Sequence, residues 1–182
     1  MMIKQGTTST KSALTTALDC LSRRQMSAFQ LANKLELKGY SSEEVTEAIN
    51  KLKEWRYLDD HVFAITLIKS KAARYSRARI KGELHHKGID AALVERALEE
   101  GYPDQKELEN GIVIGRKIYL SEYNKYLKKI ASTASDSYSD DSEIKHSPGI
   151  LLRKRIGDKL LSKGYRLETV KRILNEILRE ID

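Results

Sequence analysis

The hydrophobic positions of this chain fall at helical spacing, and one short pattern of them occurs three times. It reads Leu31-x3-Leu35-x2-Lys38-Gly39, then Ile80-x3-Leu84-x2-Lys87-Gly88, then Ile156-x3-Leu160-x2-Lys163-Gly164. In every copy a valine stands six residues after the glycine, and an isoleucine or leucine stands ten residues after it. A register held at six positions in three copies indicates that the chain is built from one small helical unit used three times.

Helix start and stop signals divide each copy into three helices. Ser27-x-x-Gln30 and Ser41-x-x-Glu44 are capping boxes, the Asp59-Asp60 pair suits a helix N-terminus, and each pattern glycine suits a left-handed C-cap. The sequence therefore predicts an all-α fold of three tandem three-helix repeats, about nine helices, in an elongated, curved array. The predicted parts are a flexible tail at 1–12 and repeats at 13–58, 59–103 and 104–182.

The third repeat contains a stretch of different composition at about 132–147. It is rich in serine and aspartate and has almost no apolar residues, a composition that predicts a mobile insertion. The long predicted helix before this insertion carries Tyr119, Tyr123 and Tyr126 on one face. These tyrosines are interpreted as a packing stripe against neighbouring helices, with stacking on nucleic-acid bases as the alternative.

The excess of basic over acidic residues indicates that this helical protein binds an anionic partner. Of 182 residues, 33 are Lys or Arg and 26 are Asp or Glu, which gives a formal net charge of +7. Such an excess favours nucleic acid, an acidic protein face or an anionic membrane surface. No apolar run approaches the roughly 18 residues of a membrane span, so we expect neither a membrane anchor nor a signal peptide. Cys20 is the one cysteine, so no internal disulfide is possible, and a cytoplasmic location is expected.

The basic residues are concentrated at equivalent places in the three copies, just before the second helix and near its final glycine. This recurrence predicts a basic stripe that binds phosphates or acidic side chains. A solvated helix face with cations at helix C-termini is the alternative, and it is preferred for Lys38, Lys87 and Lys163. The predicted binding residues are Arg23, Arg24, Lys71, Arg74, Arg77, Arg79, Lys81, Arg153, Lys154, Arg155, Lys159 and Arg172.

The sequence offers no catalytic or metal-binding motif. Asp59-Asp60 lacks a third carboxylate at ligand spacing, and His85-His86 are adjacent on a predicted helix and point about 100° apart. Glycine-rich phosphate loops are absent. We therefore expect no cofactor, no metal and no enzymatic activity.

Two segments resemble the RecX family of RecA regulators. The resemblance rests on Tyr57-Leu58-Asp59-Asp60-x2-Phe63-Ala64 and on Ser76-x3-Ile80-x2-Glu83-Leu84-x2-Lys87-Gly88-Ile89, and the first repeat also matches over Leu18–Tyr40. It is weakest over the first helix of the third repeat. The structural repeat signature comprises the recurring leucines and glycines and the Asp-Asp-x2-Phe segment of the second copy: Leu35, Gly39, Asp59, Asp60, Phe63, Leu84, Gly88, Leu160 and Gly164.

The resemblance implies a function that the residues alone do not. A family member of this kind lies in the groove of the RecA filament on single-stranded DNA, where it inhibits ATP hydrolysis and strand exchange or alters filament length. The expected partners are therefore RecA and single-stranded DNA, with weak binding to duplex DNA, no membrane, and a monomeric state. The alternative from the helix pattern is a helix-turn-helix transcription regulator, against which the lack of a recognition helix rich in Asn, Gln and Arg argues.

Overall fold

The computed structural model describes residues 11–133 and 148–179, and within them the chain is helical and contains no strand. The predicted all-α fold is confirmed. Residues 1–10 and 134–147, which hold most of the predicted tail and insertion, lie outside the described residues. The helices are α1 (Ala13–Leu21), α2 (Ala28–Glu36), α3 (Ser42–Glu54), α4 (Asp60–Lys71), α5 (Arg77–His86), α6 (Ala91–Gly101), α7 (Asp104–Thr133), α8 (Pro148–Ser162) and α9 (Leu167–Arg179).

The predicted caps begin the helices where the sequence placed them. Both capping boxes form, at Ser27 with Gln30 and at Ser41 with Glu44. The Asp59 carboxylate accepts hydrogen bonds from the amides of His61 at 2.8 Å and Val62 at 3.0 Å, so Asp59 caps α4. Each cap satisfies amides that have no partner inside the helix, and this fixes the first turn.

The helices form two compact units, each with its own interior. One unit comprises the described residues up to Ile68 together with Lys81–Gly101. The other comprises Lys69–Ile80 and the described residues from Tyr102 onward. Helices α4 and α5 thus each contribute residues to both units. The repeat boundaries at 58/59 and 103/104 stay predictions. In the described part of the chain, no helix is both long and apolar enough to cross a membrane.

The repeated leucines form the interior of these units. Leu35, Leu84 and Leu160 are each fully buried, and so are the apolar residues four positions before them. Around Leu35 pack α1, α2 and α3 with Val45, Ile49 and Leu52, among others. Around Leu160 pack α7, α8 and α9 with Val170, Ile173, Leu174 and Ile177, among others. The register predicted from the sequence is therefore the register of the core.

In the first unit the end of α5 meets the beginning of α2. The Ser27 hydroxyl donates to the Lys87 carbonyl at 2.6 Å, and Gly88 has φ +74 with the Phe29 side chain directly against its Cα. The Asp60 carboxylate accepts from the Ala28 amide at 2.8 Å, which adds a second tie at the same helix start. We call this contact the Gly88 joint.

In the second unit the end of α8 meets the beginning of α5 in the same way. The Ser76 amide donates to the Lys163 carbonyl at 3.2 Å, and Gly164 has φ +90. A Cβ on Gly164 would lie 2.7 Å from the Ser76 Oγ and 2.9 Å from the Arg79 Cβ. We call this contact the Gly164 joint. The third pattern glycine, Gly39, also has a left-handed φ of +91, but nothing lies within 4 Å of where its Cβ would be.

The two kinds of glycine predict a graded loss of stability on replacement by alanine. Gly39→Ala introduces only backbone strain, about 1–2 kcal/mol. Gly88→Ala adds overlap with Phe29 Cβ and Cγ, an overpacking of about 1–3 kcal/mol more. Denaturant unfolding of the two variants measures this difference, and equal losses would show that Phe29 moves aside without cost.

Candidate polyanion-binding surface

Three cations surround the ring of Tyr75, which lies between the end of α4 and the start of α5. The Arg79 Cζ is 4.4 Å from the ring centroid, and the Lys71 and Lys163 ammonium nitrogens are each 5.8 Å from it. Cations are attracted to the negative face of an aromatic ring. We call Lys71, Tyr75, Arg79 and Lys163 the Tyr75 cluster.

The Gly164 joint assembles the Tyr75 cluster. Arg79 donates from Nη1 to the Ser162 carbonyl at 2.7 Å, and Lys163 is the residue before the joint glycine. Arg79 thereby satisfies an unpaired carbonyl at the end of α8 while its guanidinium stays exposed. Three positive charges on one aromatic residue make a site that attracts phosphate or carboxylate groups.

Arg74 and Arg77 lie on either side of Tyr75 in sequence, but the surroundings of their side chains differ. Arg74 is exposed, and its side chain makes no ion pair with any residue that the structure describes. The Arg77 side chain is only 13% exposed. It donates to the Tyr102 carbonyl at 2.9 Å and lies 3.2 Å from the Asp104 carboxylate. Arg77 therefore holds the start of α7, whereas Arg74 is available to a partner.

Glu122 of α7 gathers a second group of cations. Its side chain is 5% exposed, and it pairs with Lys159 at 2.5 Å, Lys125 at 2.9 Å and Arg155 at 3.5 Å. The hydrogen bonds from Lys159 and Lys125 hold the pKa of Glu122 well below its usual 4.5, at about 2. Two of the predicted binding residues, Arg155 and Lys159, thus also serve to fasten α8 to α7.

The other predicted binding residues belong to neither of these two groups. Lys81 pairs with Glu95, and Arg153 donates to the Asn175 side chain at 3.1 Å. The remaining four side chains are exposed: Arg23, Arg24, Lys154 and Arg172. The structure thus brings Lys71 and Arg79 together in one cluster and Arg155 and Lys159 in another.

Sequence reasoning missed three residues of this surface. Tyr75 and Glu122 were not considered, and Lys163 was assigned to the helix dipole alone. An aromatic residue inside a basic segment was a usable signal for Tyr75. Nothing local signals that Lys163 reaches Tyr75, 88 positions earlier in the chain. The structure also contains no group of three His, Cys, Asp or Glu side chains placed to hold a metal within its described residues.

The fold and surface define a class of protein: an all-α protein of tandem three-helix domains that presents clustered cations. Comparison with models of known protein families agrees with this class and identifies the family. Residues 13–52 match "RecX, first three-helix domain", and residues 59–98 match "RecX, second three-helix domain". The chain belongs to the RecX family.

Several relatives carry the description "Regulatory protein RecX". One from Vibrio vulnificus is 30% identical over 118 residues, which is 63% of this chain and 77% of the relative. One from Caldanaerobacter subterraneus subsp. tengcongensis is 41% identical over 54% of this chain, and one from Clostridium botulinum is 28% identical over 89% of it. The matched regions span 51% and 66% of the lengths of these last two relatives.

Solved structures show the same fold. The crystal structure of RecX from Lactobacillus salivarius has a TM-score of 0.69 and 24% identity, and the match covers 91% of this chain and 94% of that one. A second crystal structure, of regulatory protein RecX, has a TM-score of 0.66 and 19% identity, over 90% of this chain and 70% of that one.

The Glu122 group predicts a specific dependence of stability on pH. A carboxyl group whose folded pKa is depressed contributes stability above its unfolded pKa, near 4.5, and loses it as pH falls towards the folded value of about 2. Glu122→Gln is expected to lower stability at pH 7 by about 1–2 kcal/mol, because three half-exposed cations lose their common partner.

The measurement is urea unfolding from pH 7 to pH 2.5, with the exposed Glu176→Gln of α9 as the control. The gap between the wild type and Glu122→Gln should narrow below pH 4.5, whereas Glu176→Gln should follow the wild type throughout. A gap that stays constant with pH would contradict the assigned role of the Glu122 charge.

Proposed function

We propose that this chain is a non-catalytic regulator that binds the RecA–single-stranded DNA filament and inhibits ATP hydrolysis, strand exchange and filament growth. The observation that carries the proposal is the Tyr75 cluster in a chain of the RecX family. RecA as the partner comes from the family resemblance. The cluster supplies groups that suit both components of such a filament, namely DNA phosphates and acidic protein side chains.

The proposed mechanism is bridging rather than chemistry. Tandem domains that contact adjacent RecA protomers oppose the relative motion that each cycle of hydrolysis requires, because the bound state favours one spacing of the protomers. Cations near Tyr75 contact the filament, and some reach the DNA. The protein acts as a cytoplasmic monomer, with weak binding to duplex DNA and no cofactor.

The contacts described above decide which basic residues belong in a test. Arg77 is excluded because its replacement would break its bonds to Tyr102 and Asp104 and reduce stability. Arg79 is excluded because it caps α8 through Ser162. Several predicted binding residues are exposed and form no ion pair within the described part of the chain, and of these we choose Arg74 and Lys154, which belong to the same compact unit as Tyr75.

The double reversal Arg74→Glu with Lys154→Glu is expected to weaken inhibition of RecA's DNA-dependent ATPase. The concentration for half inhibition should rise about tenfold at ~0.1 M salt, because two phosphate or carboxylate contacts become repulsive. The control is Lys53→Glu with Lys106→Glu, which makes the same change in net charge at two other exposed lysines.

Thermal unfolding of both double variants should match the wild type. Equal inhibition by the two double variants would show that charge alone matters and not its position. No inhibition by the wild-type protein at equimolar ratio, with filaments intact, would contradict the proposed function and make a search for a duplex binding site the next experiment.

Tyr75 itself provides a second prediction. Tyr75→Leu removes the ring that holds the cations, and binding of a single-stranded oligonucleotide should weaken about five- to tenfold. Tyr75→Phe keeps the ring and should bind like the wild type. Fluorescence anisotropy with a labelled oligonucleotide measures both variants. A loss of the same size in both would assign the effect to the hydroxyl group and contradict a role for the ring.

A further inference from the structure

Helix α7 has one face that packs and an opposite face that does not. The packing face approaches α9 closely: a Cβ on Gly111 would lie 2.5 Å from Ile173 Cδ1, and one on Gly115 would lie 2.5 Å from Ile177 Cδ1. Ile114 and Glu122 on the same side are buried. A surface helix with this packing face normally carries polar residues on the other side.

The opposite face of α7 is apolar instead. Leu120, Tyr123, Leu127 and Ile130 follow one another at spacings of three, four and three residues, and Val113 lies seven positions before Leu120. We call these five residues the α7 stripe. Their exposed fractions are 47% for Val113, 59% for Leu120, 37% for Tyr123, 45% for Leu127 and 47% for Ile130.

The stripe has the dimensions and spacing of a helix-binding seam. From Val113 to Ile130 it runs for about 25 Å along the helix. Alternating spacings of three and four residues are those of the apolar positions through which two helices pack side by side. Scattered exposed apolar residues need no explanation, but the unbroken row from Leu120 to Ile130, in line with Val113 beyond Arg116, marks an interaction site.

The predicted packing stripe of α7 tyrosines forms in part, because Tyr119 packs against the core around Leu160. Tyr119 and Tyr126 are half-buried, and Tyr123 is exposed. The rings of Tyr119 and Tyr123 lie parallel, with centroids 5.7 Å apart. Tyr119 therefore supports the Tyr123 ring at the edge of the stripe, where an aromatic side chain contributes a large apolar contact area.

The charge around the stripe indicates the nature of its partner. Between Arg116 and Ser132 the sequence contains five basic residues, Arg116, Lys117, Lys125, Lys128 and Lys129, and one acidic residue, Glu122. That acid is buried beneath Lys125, Arg155 and Lys159 and faces away from the stripe. Lys125 pairs with this acid on the packing side of α7. Helical spacing places Arg116 in line with the stripe, between Val113 and Leu120, and Lys117 and Lys128 along one edge of it. The stripe is therefore bordered by positive charge, and acidic residues on a partner would complement it.

This charge pattern also argues against a second copy of the chain. Two α7 helices placed stripe to stripe would bring two positive borders together, in either orientation, and like charges beside an apolar seam oppose pairing. An acidic partner, by contrast, is stabilised both by apolar packing on the stripe and by charge pairing with the basic residues beside it.

We propose that the α7 stripe is the docking site for an amphipathic helix of another protein, one whose apolar seam is flanked by acidic residues. The apolar side chains of the partner pack between Leu120, Leu127 and their neighbours, and its carboxylates contact the lysines beside them. This site is additional to the proposed binding of a filament through the Tyr75 cluster and does not depend on it.

The test uses a synthetic helical peptide as the probe and the full chain as the receptor. The peptide has three heptads, about 21 residues, with leucine at the seam and glutamate beside it. A second peptide carries lysine in place of glutamate. Fluorescence anisotropy is measured for the wild type, for Leu120→Ser with Leu127→Ser, and for Leu37→Ser with Leu167→Ser, which replaces two exposed leucines elsewhere.

The glutamate peptide is expected to bind the wild type and the control at micromolar concentration, and the Leu120/Leu127 variant at least tenfold more weakly. The lysine peptide should bind the wild type at least tenfold more weakly than the glutamate peptide. Absence of binding, equal binding to both double variants, or equal binding of the two peptides would overturn the proposal. Because the assay contains neither RecA nor DNA, its outcome is independent of the proposed function.

Two further outcomes would assign the stripe to another occupant. Sedimentation equilibrium that shows a dimer dissolved by the Leu120/Leu127 replacement would overturn the proposal in favour of a second copy. Binding to phosphatidylglycerol vesicles that depends on the same two leucines, without binding of the glutamate peptide, would overturn it in favour of a lipid surface. A monomer that binds the glutamate peptide supports the proposal.

Discussion

The rest of the structure depends on how one helix ends against the beginning of another. At the Gly88 and Gly164 joints the last carbonyl before a left-handed glycine accepts a hydrogen bond from a serine at the start of an equivalent helix. A helix C-terminus has carbonyls without partners inside the helix. At each joint the serine satisfies one of these carbonyls, and only glycine leaves room for the close approach.

These joints also place the residues that we propose to be functional. Arg79 and Lys163 meet at Tyr75 because the end of α8 lies against the start of α5, within one compact unit. The Tyr75 cluster is therefore a product of the same contact that holds the helices together. Net charge alone would not reveal this, since Arg77, Arg155 and Lys159 use their charges on Asp104 and Glu122 within the protein.

The sequence predicted those features of the fold that obey local rules. Capping at Ser27, Ser41 and Asp59, the left-handed glycines and the buried leucine register were all predicted, because each depends on residues within about four positions of one another. It did not predict that Asp60 would accept from Ala28 or that Glu122 would hold three cations, because those contacts join residues far apart in the chain. The basic stripe was predicted as a list of residues, and only the structure separates Arg74, which is exposed, from Arg77, which is largely buried.

The central claim is that this chain contacts the RecA–single-stranded DNA filament through the surface around Tyr75. The most direct measurement is hydrogen–deuterium exchange of the protein, free and bound to the filament, at peptide resolution. The account predicts slower exchange on binding in peptides that cover Lys71–Arg79 and the end of α8 at Ser162–Gly164. Protection confined to other segments, with these two unchanged, would contradict it.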